Sequence, residues 1–192
     1  MKKSLITFAA IMAFAGAVSA ADLSSVGETG TVVTAAGTFD VEDGVSYEGA
    51  SLGAQQNFAG LGTIALDVAS DKGFNDAAVT ATYANGLSVG PVKLVGAVSV
   101  GRVLDAGLNS AALAAEAQLK LVGPFVAFVG VQESYAWSAA GNWSISNTDT
   151  TATAGTYVKL GNLVGKVGYG RTWLPGGSAH SNGVVASLSY KF

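Results

Sequence analysis

Apolar and polar side chains alternate along most of this chain. The last ten residues, GVVASLSYKF, place Val184, Ala186, Leu188, Tyr190 and Phe192 at every second position, with Val185, Ser187, Ser189 and Lys191 between them. A period of two marks a strand with one apolar and one mostly polar face. The period returns over 163–173, where Leu163, Gly165, Val167 and Tyr169 alternate with Val164, Lys166, Gly168 and Gly170, and over 151–160. Gly161-Asn162 between these two segments is a tight hairpin turn. Further back, Phe125, Ala127, Val129, Val131, Glu133, Tyr135 and Trp137 share one face, opposite Val126, Phe128, Gly130, Gln132 and Ser134. Strands are predicted over 111–121, 92–104, 77–84 and 61–69, with two more over 31–41 and 45–54 around Glu42-Asp43-Gly44.

The connections alternate in length. Those at 85–91, 122–124 and 161–162 are short, whereas 105–110, 138–150 and 175–182 are longer or more polar. Alternating strands of about 10 residues, with tight turns on one side and longer loops on the other, are the pattern of a transmembrane β-barrel. Hydrocarbon leaves no partner for an open sheet edge, so the sheet has to close. The expectation is an all-β, closed, up-and-down antiparallel transmembrane barrel of eight to ten strands, with ten favoured over eight.

SAALAAEAQLKL, 110–121, pulls the other way. Ser110 is a candidate helix N-cap, five alanines favour a helix, and Glu116 precedes Lys120 by four residues. As a strand it places Leu113, Ala115, Ala117, Leu119 and Leu121 on one face and Ala114, Glu116, Gln118 and Lys120 on the other. The flanking strands need a pairing partner, so a strand is expected.

Composition narrows the setting. The chain is 49% hydrophobic and only 12% charged, against about 25% charged in an ordinary globular protein. No run after residue 20 is apolar enough for a spanning helix. The first 20 residues, MKKSLITFAAIMAFAGAVSA, combine two lysines, a short apolar run and a small-residue end, the pattern of a secretory signal peptide cleaved before Ala21. Residues 21–192 then form a single barrel domain. Removing Lys2 and Lys3 takes the formal charge from −3 to −5, which argues against a nucleic-acid partner. With no cysteine, an exported chain has no disulfide framework.

The C-terminal pattern of Val184, Ala186, Leu188, Tyr190 and Phe192 resembles the terminal strand of bacterial outer-membrane β-barrel proteins, and in size the chain is similar to the small OmpA/OmpX-type barrels. The resemblance implies location in the cell outer membrane of a Gram-negative bacterium. It also implies a barrel-assembly signal at Leu188, Tyr190 and Phe192, read by the barrel-assembly machinery. The C-terminus and tight turns would face the periplasm and the longer loops the exterior. Phe125, Tyr83 and Phe192 then form a lower aromatic belt, and Tyr135, Trp137 and Trp173 an upper one. Tyr157 has the opposite parity from its apolar neighbours and finds no place in either.

Charges sort by parity. Lys93, Lys120, Lys159, Lys166 and Lys191 point inward near the periplasmic ends of their strands, and Asp67, Glu116 and Glu48 point inward higher up. Such lumen charges either pair as a stabilising plug or line a wet, charge-selective path. Arg102, Glu133 and Arg171 point outward near the extracellular rim, where lipopolysaccharide contact and simple snorkelling are both open to Arg102 and Arg171. The outer loops are acidic, but without the ligand density of a calcium site.

Catalytic motifs are thin. GLGTIA, 60–65, matches a dinucleotide fingerprint but is followed by a strand pattern. His180, the one histidine, has no acidic residue near it and no nucleophile elbow. No cofactor or metal is expected. The expected function is non-enzymatic: an envelope-structural barrel or a narrow, porin-like passage for small polar solutes, since open channels need about 16 strands. The alternatives are a surface adhesion or receptor barrel binding an extracellular ligand through 138–150 and 175–182, a lipid-acting enzyme using His180, and a soluble or fibre-forming β protein.

Overall fold

The computed structural model describes residues 22–42, 44–73, 76–105, 107–138, 148–173 and 180–192. The expected signal peptide, most of the loop 138–150 and positions 175–179 lie outside the described residues. Ten strands form one closed antiparallel barrel: β1 (Gly30–Asp40), β2 (Ser46–Phe58), β3 (Gly62–Asp71), β4 (Ala77–Val89), β5 (Val92–Val103), β6 (Leu108–Lys120), β7 (Phe125–Ser138), β8 (Thr148–Leu160), β9 (Leu163–Trp173) and β10 (His180–Lys191). Each pairs with its neighbour in sequence, and β10 returns to β1 along a register from Val32 opposite Lys191 to Asp40 opposite Gly183. Closure of this seam removes both sheet edges.

The alternation sets which way the wall faces. Leu52 on β2 and Leu113 on β6 are each 60% exposed. Leu66, Val100, Val129 and Val167 line the same outer surface. Their sequence neighbours Ser51, Asp67, Ser99 and Lys166 are buried inside. An exposed apolar wall around a polar interior is inverted relative to a soluble protein and is stable only where hydrocarbon replaces water outside. The described residues contain no helix long and apolar enough to cross a membrane, and the crossing is made by strands.

The alanine-rich segment forms β6, with the two faces expected of it and full pairing to β5 and β7. One strand runs further than its pattern suggests. The connection expected over 85–91 is mostly strand: β4 continues through Asn85-Gly86 to Val89 before the turn at Gly90-Pro91. Gly86 faces inward, where a Cβ would lie 2.9 Å from the Leu94 carbonyl oxygen and 3.6 Å from Val26. The glycine therefore serves packing, not a turn. A bulge between Thr38 and Phe39 brings Phe39 opposite Tyr47, with the two rings 5.9 Å apart.

Before β1 the chain does something its pattern does not announce. Asp22 begins a single 3-10 turn, Leu23–Ser25, whose residues are buried. Leu23 and Val26 pack with Ala65, Ala84 and Val95, all inward-facing positions of the barrel. Residues 22–26 thus lie inside the lumen.

Candidate functional site in the lumen

In the half of the lumen nearer the tight turns, four strands bring five side chains to one layer. Glu116 and Gln118 come from β6, Phe128 from β7, Tyr157 from β8 and Lys166 from β9, and all five are buried. The Lys166 ammonium lies 3.6 Å from Glu116 Oε2. The other carboxylate oxygen, Oε1, accepts hydrogen bonds from the Tyr157 hydroxyl at 2.8 Å and from Gln118 Nε2 at 2.7 Å. Lys166 Nζ also stands 4.4 Å from the centre of the Phe128 ring and 4.8 Å from that of Tyr157. Paired, hydrogen-bonded and flanked by aromatic faces, the two charges meet the conditions under which burial is tolerated.

The glycines of β8 and β9 make room for this layer. A Cβ on Gly155 would meet the Val167 carbonyl oxygen at 2.2 Å and the Phe128 ring at 2.8 Å, and one on Gly168 would meet that ring at 2.9 Å. Phe128 covers both glycines from inside.

Toward the end that carries the tight turns the N-terminal segment takes over. Lys93 Nζ and Lys159 Nζ both donate to the Ser24 carbonyl oxygen, at 3.0 and 2.8 Å. Gln118 Nε2 donates to the Leu23 carbonyl oxygen at 2.9 Å, which joins the segment to the Glu116–Lys166 layer. Gln55 and Asn57 on β2 hold Ser25 Oγ at 2.7 and 3.2 Å. Glu28, at the mouth, pairs with Lys159 at 3.3 Å and Lys191 at 2.8 Å. Partial burial alone would raise the Glu28 carboxyl, but the Lys191 hydrogen bond and the charge of both lysines outweigh it and hold the group below its ordinary range. Elsewhere the lumen wall carries cross-strand hydroxyl pairs: Thr34 with Ser189, Thr82 with Ser99, and Thr151 with Thr172.

Of the lumen charges expected from sequence, Glu116 and Lys166 form the buried pair, and Lys93 and Lys191 hold the N-terminal segment. Asp67 is buried on the inward face of β3. Lys120 is exposed at the mouth that carries the tight turns. Glu48 reaches Lys72 at the opposite rim, 3.4 Å away. Arg102 and Arg171 are exposed on the outer wall, and the Arg171 guanidinium lies 5.7 Å from the Trp173 ring. Leu188 and Tyr190 face outward beside Phe192, whose ring packs edge-on to Tyr190 at 4.9 Å and whose N–H donates to the Thr31 carbonyl oxygen.

Sequence reasoning placed Phe128 on the inward face without a role, and missed Tyr157 and Asp22–Glu28 as lumen residues. Parity alone pointed Tyr157 inward, and that was the available signal.

A ten-stranded closed sheet with an apolar outer wall and a hydrogen-bonded polar lumen defines a transmembrane β-barrel protein of the cell outer membrane. No protein-family profile matches the chain, and no curated protein matches it in sequence. Among solved structures it is similar to Neisserial surface protein A, with 14% identity, 85% of this chain and 98% of that chain covered, and a TM-score of 0.39. It is similar also to the Yersinia pestis outer membrane protein Ail, at 13% identity, 85% and 99% coverage and a TM-score of 0.44. For the KdgM porin the values are 11%, 83% and 99%, and 0.48. The assignment to the class rests on the geometry of the barrel itself.

Proposed function

We propose that this protein is a non-enzymatic barrel that supports the envelope and keeps its own lumen closed from the periplasmic side. Small polar solutes pass only when the N-terminal segment leaves its seat. The observation that carries this reading is the shared grip of Lys93 and Lys159 on the Ser24 carbonyl oxygen, directly below the Glu116–Lys166 layer. Two successive obstructions in a ten-stranded barrel leave little room for flux. Arg102 and Arg171, exposed on the outer wall near its extracellular end, suit the phosphates of lipopolysaccharide.

Planar-bilayer recording tests the proposal. The intact protein should be silent, and deletion of Asp22–Glu28 should give small discrete steps. Equal conductance from both proteins would overturn it.

A further inference from the structure

Beside the N-terminal segment the periplasmic mouth opens into a vestibule of about 750 Å³, floored by the turns at Gly90-Pro91 and Gly123-Pro124. That volume lies within the range of small-molecule sites, about 300–1,000 Å³. Three ammonium groups line it, from Lys93, Lys120 and Lys159, against the single carboxylate of Glu28. Glu28 is itself shared between Lys159 and Lys191. Lys93 and Lys159 both point at the Ser24 carbonyl oxygen, so their nitrogens are no more than about 6 Å apart, a separation at which like charges repel in a partly dehydrated site. The Lys120 side chain has no hydrogen-bond or ion-pair partner among the described residues, so its ammonium is free to turn into the vestibule.

We propose that this vestibule is a binding site for a small soluble dianion of the phosphate class, held by Lys93, Lys120 and Lys159. Three cations against one already shared carboxylate leave a positive excess that two negative charges neutralise. Lysine ammoniums on flexible stems hold a phosphate as point charges, without the planar geometry that arginine imposes. All three lysines lie on the inward parity of their strands, so a lipid headgroup on the outer wall does not reach them and the ligand comes from the aqueous periplasm. The site stands whether or not the barrel conducts.

Inorganic pyrophosphate is the probe. Titration calorimetry on the protein purified from outer membranes in neutral detergent should show saturable binding that weakens as sodium chloride is raised. K93Q and K120Q should each weaken it about tenfold, the loss of one charge-assisted hydrogen bond. K72Q, at the opposite rim, should bind like the parent. Lys120 holds nothing in the fold, so K120Q is the decisive variant, and K120R should recover most of the affinity. Absence of saturable binding, or unchanged affinity in K120Q, would overturn the site. Bilayer conductance is read separately, so failure here and failure of the closed-barrel proposal are told apart.

Discussion

Glu116 and Lys166 meet inside the barrel from β6 and β9, with both side chains almost completely out of solvent and 3.6 Å between charged atoms. Removing one partner from a buried pair strands the other charge, at about 3–5 kcal/mol. E116A should therefore lower stability in urea by that order, followed by tryptophan fluorescence in detergent micelles. The double variant E116L/K166M should recover much of the loss, since apolar replacement of a whole pair is often close to neutral. Y157F, which removes one hydrogen bond to the carboxylate, should cost about 1.5–3 kcal/mol.

Gly155 and Gly165 offer a matched comparison between the two faces of the wall. A methyl at Gly155 collides with backbone and with Phe128, whereas one at Gly165 meets nothing within 4 Å. G155A should destabilise by about 1–3 kcal/mol through overpacking. G165A, on the outer surface, should stay within about 0.5 kcal/mol of the parent. Urea midpoints measured in parallel decide both.

Glu28 gives the N-terminal segment a pH dependence of definite sign. Its folded-state carboxyl is held below the ordinary range, so its contribution is complete above the unfolded value and is lost as pH falls through the depressed folded one. The segment should stay seated through neutral pH and loosen only in strong acid. A cysteine at Val26, buried at 1% exposure, should resist thiol-disulfide exchange at neutral pH. E28Q should increase its labelling there, because neither Lys159 nor Lys191 keeps an ionic partner.

The seam between β1 and β10 ends at Phe192, whose N–H is bonded to Thr31. The unheated protein should migrate differently in SDS from the boiled one, as a closed barrel resists the detergent until it melts. F192A should keep that shift after refolding in vitro yet reach the outer membrane in smaller amount, measured by fractionation, if the terminal aromatic is read by the assembly machinery.

Strands were legible because their alternation is imposed by two different media on the two faces of one wall. β6 was readable as a strand despite five alanines, since Glu116 and Gln118 face the lumen and Leu113 and Leu119 the outside. The connection expected over 85–91 began too early because a glycine chosen for close packing, Gly86, looks the same in sequence as one chosen for backbone freedom. Tyr157 was unplaced because a large aromatic at an inward position contradicts the simple rule of polar inside. Its ring is accommodated by Phe128 and its hydroxyl by Glu116. Asp22–Glu28 carried no periodic signal at all, being shorter than one strand. Its meaning depends on lysines that the sequence places far downstream.

That distance in sequence fixes an order in time. During synthesis Asp22–Glu28 emerges before any strand, but two of its anchors, Lys159 and Lys191, belong to β8 and β10 and are made near the end. Gln55, Asn57, Lys93 and Gln118 on β2, β5 and β6 begin the seat, and it is complete only when β8 and β10 add Lys159 and Lys191. The grip on Glu28 is therefore among the last contacts to form, and a probe at Glu28 should report a folding rate no faster than a probe on β10.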